Sequence, residues 1–175
     1  MCILVIDLSY QTGSVFTMTT DGVVIETVQS PEYRSLSSLI QELIASAPQP
    51  LLAIALPKGP GAFTPLRITA AAALAHALAN KIPLIPYPPF LGLVPLEESQ
   101  GKLLLDARSK SAYTTFYKKR GSKVEFDKIV LEPVDVEPLY ETNAEKLAIH
   151  IKNLFESGEF CPPLELKLEY IKQPR

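Results

Sequence analysis

Histidine and cysteine are scarce in this 175-residue chain, two of each, and neither pair supports the chemistry such residues usually signal. Cys2 and Cys161 cannot build a disulfide framework, so a reducing compartment, the cytoplasm, is the expected home. His76 and His150 lie in separate helical segments without ligand spacing, which predicts no metal site. Ser9 and Ser14 have no histidine nearby in sequence to activate them as nucleophiles. A basic excess is also missing: 17 Lys and Arg stand against 19 Asp and Glu, a net charge of -2. That balance argues against a general nucleic-acid surface. Long apolar runs are absent too. The apolar start over residues 2–8 is interrupted by Asp7 and is too short for export or for spanning a membrane.

What remains is the composition of a soluble globular protein, 47% hydrophobic and 21% charged, in one domain or two small ones. Residues 2–7 read as a buried strand. Residues 14–20 and 23–28 form a hairpin around Asp21-Gly22, a strong turn pair. Helical spacing over 32–45 puts Leu36, Leu39, Ile40, Leu43 and Ile44 on one stripe, with Ser35, Ser37, Ser38 and Gln41 outward. Residues 51–56 are apolar without alternation, as in a strand covered on both faces. A helix over 65–79 and a short strand near 82–85 follow. Strands joined by helical crossovers imply an α/β layer fold.

The most informative stretch is Gly59-Pro60-Gly61-Ala62-Phe63-Thr64-Pro65-Leu66-Arg67-Ile68. Gly59 and Gly61 permit the positive φ angles of a sharp reversal. Thr64 is suited to cap the helix and Pro65 to open it, with Phe63 and Ile68 placed for a hydrophobic staple. Free amides at such a start, beside Lys58 and Arg67, could hold a phosphate. Pro65 removes one amide, however, and no GK[ST] ending makes a Walker motif. A phosphate cradle and a purely structural turn both stay open, with the features leaning to the turn.

The second half repeats the pattern of the first. Leu103-Leu104-Leu105-Asp106 echoes Val5-Ile6-Asp7, and the same fifteen-residue spacing separates Asp7 from Gly22 and Asp106 from Gly121. Residues 113–118 and 124–131 then stand for the next two strands. A helix over 143–155, capped by Thr142, completes the second unit, and little follows except residues 164–171. Prolines at 83, 86, 88, 89 and 95 mark a stiff connection, with a short helix at 90–94.

Tandem units of this kind resemble the actin and sugar-kinase superfamily, which places nucleotide between two ribonuclease-H-like lobes. The stretch 59–68 resembles the GPGSFTGLRIG signature of the TsaB (YeaZ) family. Ile3-Leu4-Val5-Ile6-Asp7-Leu8-Ser9, Lys81-Ile82-Pro83-Leu84 and Leu104-Leu105-Asp106-Ala107-Arg108 with Tyr113 resemble its other segments. Together they span residues 1–120 in the family's order. The resemblance implies an α/β fold of tandem ribonuclease-H-like lobes, the second shortened: 1–95 with the partner-binding helices, and 96–175 reduced.

It also implies a function. TsaB proteins are noncatalytic partners of TsaD, which transfers a threonylcarbamoyl group to adenosine in tRNA. A TsaE-like ATPase joins the complex, and tRNA is met only indirectly. The implied partner interface is Leu36, Leu39, Ile40 and Leu43 of the first helix with Arg67, Ala71, Ala72, Ala75, His76 and Ala79 of the second. A homodimer through the same helices is the other occupant. Asp7, Ser9, Gly59, Gly61 and Thr64 would be a vestigial nucleotide site, with ATP or ADP only at a partner interface and no cofactor of the chain's own.

The chain departs from the family in several places. Leu8 replaces the Thr of Asp-Thr-Ser, Ala62 the signature Ser, and Pro65 its second Gly. Pro31-Glu32-Tyr33-Arg34-Ser35 stands where His-Ser-Glu is usual, and Leu8-Ser9-Tyr10-Gln11 lacks the glycines of an active phosphate loop. His76 and His150 do not reproduce the metal-binding spacing of TsaD.

The bare sequence supports an interface on its own terms. From Ile68 to Ala79 no residue is charged, and a helix apolar all round needs cover on both sides. An internal helix sandwiched within the fold is the alternative. The competing functional class is a nucleotide-dependent kinase or ATPase using Asp7 and Asp106 for magnesium. A peptidase finds no constellation of side chains.

Overall fold

The computed structural model describes residues 1–9, 13–29, 31–107, 110–134 and 143–171. The first sheet has the order β3-β2-β1-β4-β5. In it β1 (Cys2–Asp7), β2 (Ser14–Thr19) and β3 (Val24–Gln29) form an antiparallel meander, while β4 (Leu51–Pro57) and β5 (Leu84–Tyr87) run parallel to β1. The hairpin between β2 and β3 turns on Gly22 at φ 89°, a conformation glycine adopts without a Cβ penalty.

Two helical layers cover this sheet. On one face α1 (Leu36–Ser46) and α2 (Phe63–Asn80) bury Leu36, Ile40, Leu43, Ala70, Ala73 and Ala77 against Leu4, Ile6, Ile54 and Leu56. On the other face α3 (Ala144–Glu156) buries Leu147, Ala148 and Ile151 against Ile3, Val5, Phe16, Ala53 and Ala55. Alternate residues of β1 and β4 thus enter two different cores, which is why neither strand alternates with polar residues. Each such leucine or isoleucine is worth about 1.5–3 kcal/mol over leaving it in water.

The second sheet repeats the meander with β6 (Gln100–Asp106), β7 (Ser111–Arg120), β8 (Lys123–Phe126) and β9 (Val130–Pro133). Its hairpin turns on Gly121 at φ 63°, the counterpart of Gly22. The expected third strand is broken in two. The Asp127 amide donates to Phe116 O at 2.9 Å, carrying the β8 register one step further, and Thr115 Oγ1 donates to Asp127 O at 2.9 Å before pairing resumes at β9 one residue out of register. A third core joins Phe90 and Val94, around a 3-10 turn at Pro89–Leu93, to Leu103, Leu105, Tyr113 and Tyr117.

Several expectations are corrected. The helix expected from residue 32 begins at Leu36, because residues 32–35 form a turn closed by the Ser35 amide on Glu32 O. The helix expected from Pro65 begins at Phe63 with Ala62 as its cap residue, so Thr64 caps nothing. Pro65 sits inside the first turn, where amides have no intrahelical acceptor and a missing one costs nothing. Phe63 is therefore helical, and its ring meets Tyr170 rather than forming a staple. The strand expected at 82–85 is β5, two residues later. The helix expected to complete the second unit, α3, instead packs on the first sheet. Thr142, Tyr10, Gln11 and Arg108 lie outside the described residues.

Asn143 caps α3, its Oδ1 accepting the Lys146 amide at 2.8 Å. Asn143→Ala is expected to cost about 1 kcal/mol in urea unfolding, and Asn143→Ser nearly nothing.

After α3 the chain becomes a strap. Cys161 pairs with Leu84 on the open edge of β5 through two backbone hydrogen bonds of 2.9 and 2.8 Å. A 3-10 turn at Pro163–Glu165 follows, and Leu166 and Leu168 then pack against the α1–α2 core.

Candidate functional site

The strap ends on the glycine turn. Its Glu169 amide donates to Lys58 O at 2.7 Å, and the Glu169 carboxylate holds Lys58 Nζ at 2.8 Å. Gly59 adopts φ 102° directly beneath the strap, and a Cβ built there would overlap the Glu169 carbonyl oxygen. The Tyr170 ring lies 5.6 Å from that of Phe63, and the Arg67 guanidinium stands 4.9 Å over the Phe63 ring. The chain's own carboxylate therefore occupies the lysine that a phosphate would need. Thr64 is exposed and Gly61 has open space around it, so neither adds a contact to an anion here.

The end of β1 is closed in a similar way. Asp7 is fully buried, accepting the Ser9 amide on Oδ1 and the Tyr87 hydroxyl on Oδ2, each at 2.9 Å. Burial pushes the Asp7 carboxyl above the usual carboxylate range, and the hydrogen bonds from Ser9 and Tyr87 oppose that rise. Tyr87 reaches Asp7 from β5 with β4 between them. Among the described residues this corner does not fit a magnesium-bound nucleotide, since its carboxylate is spent on an internal phenol. Asp106, at the matching end of β6, is half-buried. Sequence reasoning missed Tyr87, whose only signal was a phenol closing an apolar strand.

The helices divide the expected interface residues. Leu36, Ile40 and Leu43 are 3%, 0% and 1% exposed and belong to the core, so these three side chains are not available to a partner. Leu39 is half-buried. Ser35, Ser37, Ser38 and Gln41 are exposed. On α2, Arg67, Ala71, Ala75 and Ala79 are exposed, while Ala72 and His76 are half-buried. Burial draws the His76 pKa down. Leu78, which the sequence reading did not single out, is 49% exposed on the same helix. The outward side of α2 is thus uncharged from Ala71 to Ala79.

A cavity of about 270 Å³ opens between β5, the tip of the β7–β8 hairpin and α3, walled by Pro86, Leu91, Val124, Phe126 and Leu154. His150 lines it, with Nε2 donating to Val94 O at 3.2 Å; burial holds its pKa below the usual range. Among the described residues no three His, Cys, Asp or Glu side chains cluster as metal ligands, and no helix is long and apolar enough to cross a membrane.

Comparison with known proteins gives the architecture its context. Two solved structures match nearly end to end: YeaZ from Pseudomonas aeruginosa, and an uncharacterized protein with similarity to peptidase YeaZ from the same organism. The first is 18% identical at a TM-score of 0.78, covering 97% of this chain and 99% of that one. The second is 17% identical at a TM-score of 0.79, covering 98% and 99%. No curated protein matches the sequence. The two meanders with their helical layers are the ribonuclease-H-like fold of the actin-like superfamily. The family model of TsaD, tRNA N6-adenosine threonylcarbamoyltransferase, matches residues 8–168, and with most of the chain inside that match this protein belongs to the TsaD family.

Proposed function

We propose that the chain is a noncatalytic subunit in the formation of N6-threonylcarbamoyladenosine in tRNA, a TsaB-type partner that binds a TsaD-like transferase in the cytoplasm. The observation that carries this reading is the outward side of α2, where Ala71, Ala75, Leu78 and Ala79 are exposed without a charge among them. A solvent-facing helix side ordinarily carries charged or polar residues, so this one is matched to cover by another protein. Alanines let a second helix approach to about 8 Å between axes. The capped Asp7 and the strapped glycine turn support the absence of chemistry in this chain. The chain is read as two lobes, 1–95 and 96–175, with α3 of the second packed on the sheet of the first. A TsaE-like ATPase would join the assembled pair, and tRNA would be met through the transferase.

Co-expression with the TsaD-like transferase of the same organism, followed by size-exclusion chromatography, tests this. The wild-type chain is expected to co-elute with it at micromolar concentration. Ala75→Glu, which forces a carboxylate into the contact, is expected to weaken binding about 100-fold or more with melting unchanged. Ala72 is a poorer probe because its half-buried position also touches the core. Failure of the wild type to co-elute would sink the reading. ATP turnover by the isolated chain, lost in Asp7→Ala, would replace it with the ATPase alternative.

A further inference from the structure

We infer that the C-terminal strap is part of the docking surface, and that Tyr170 with Phe63 and Arg67 forms an anchor for a partner helix bearing a carboxylate. This rests on the reading of α2 as the contact helix and adds residues from the far end of the chain to it.

The strap accompanies α2 along its length. At the helix's C-terminal end Ala77, Leu78 and Ile82 line a shallow, mainly apolar groove with Phe160, Pro162 and Pro163, which Lys81 also lines. At the N-terminal end Tyr170 lies against Phe63. With about 2 Å per residue in the turn at Pro163–Glu165 and about 3.3 Å in the rest, residues 161–170 reach about 29 Å, enough to follow an 18-residue helix of about 27 Å. The exposed large apolar side chains include Phe63, Tyr170 and Ile171 at one end and Leu78 and Phe160 at the other. The uncharged side of α2 is therefore the middle of a longer apolar band whose two ends the strap supplies.

Charge selects the occupant. Arg67 is exposed, held over Phe63, and makes no ion pair among the described residues. No acidic residue occurs anywhere in α2, so the same helix of a second copy offers Arg67 no carboxylate. A stacked guanidinium presents a fixed fork that matches a carboxylate, and Tyr and Arg are the side chains that most often dominate interfaces. The fitting partner is a different protein whose helix carries small side chains along its length and an Asp or Glu opposite Arg67.

The test uses the full chain and the TsaD-like transferase, with affinity measured by calorimetry and strap attachment by tryptic cleavage after Lys167. Tyr170→Ala and Arg67→Ala are each expected to weaken binding 10- to 100-fold, Tyr170→Phe to bind as wild type, and the cleavage rate of all three to stay unchanged. Wild-type affinity in Tyr170→Ala and Arg67→Ala, with Ala75→Glu still defective, overturns the anchor and leaves the function standing. A binding loss in Tyr170→Ala accompanied by faster cleavage overturns it as well, by making Tyr170 a strap fastener. A wild-type homodimer that Tyr170→Ala dissociates assigns the surface to a second copy instead. No binding by the wild type overturns both the anchor and the proposed function.

Discussion

Gly59→Ala is expected to destabilise the chain by about 2–4 kcal/mol and to release the strap. Two effects add. Gly59 sits at φ 102°, where a residue with a Cβ costs about 1–3 kcal/mol. The new Cβ would also overlap the Glu169 carbonyl oxygen, which is backbone and cannot swing aside as a side-chain tip could. The strap must lift, and with it goes the Glu169–Lys58 backbone bond, worth about 1 kcal/mol. The half-exposed Lys58–Glu169 ion pair adds little to this. Urea unfolding reads the stability, and faster tryptic cleavage after Lys167 reads the strap. Gly61→Ala is the control, because a Cβ there meets nothing within 4 Å. Equal stability of the two variants would refute the account of the turn.

The second large effect is at Asp7 and depends on pH. Tyr87→Phe leaves the buried carboxyl with the Ser9 amide in place of two donors, a loss of about 2 kcal/mol when Asp7 is ionised. The sign follows from the direction of the shift. Burial raises the folded pKa above the unfolded value of 3.8, so above that value the folded chain binds more protons than the unfolded one. Asp7 therefore lowers stability as pH rises from about 4 through its folded pKa, and its contribution is level beyond that point. Asp7→Asn should remove this loss, so its stability relative to wild type should improve as pH climbs from 4 toward 7. The cost of Tyr87→Phe should grow as pH rises through the folded pKa of Asp7, because the phenol stabilises the ionised form. A Tyr87→Phe penalty that is the same at pH 4 and pH 7 would mean that Asp7 stays neutral throughout.

The sequence announced the first sheet well, and for local reasons. Asp21-Gly22 fixes a hairpin, residues 51–56 carry too many apolar side chains for a half-exposed strand, and the repeat of Asp and Gly spacing predicted the second meander. Element ends were less legible. Pro65 is compatible with more than one position in a first helical turn, so the start of α2 was misplaced by two residues. The stripe Leu36, Ile40 and Leu43 was ambiguous because a core and a partner make the same demand on a helix; burial resolves it toward the core. Tyr87 on Asp7, Glu169 on Lys58 and α3 on the first sheet were illegible because each joins residues some 80 or more apart. Local pattern carries no record of such pairings. The family resemblance located the glycine turn but not its cover, since the covering residues lie in the half that matches the family motifs least.

The return of α3 to the first sheet also has a consequence for how the molecule is born. The strands of that sheet are complete once Tyr87 has been synthesised, yet Ile3, Val5, Phe16, Ala53 and Ala55 wait for Leu147 and Ile151 to cover them. About 60 residues separate β5 from α3, which at about 5–20 residues per second is about 3–12 s of translation. During that interval one apolar face of the sheet has no cover from its own chain, a surface suited to holding by a chaperone until the last helix emerges.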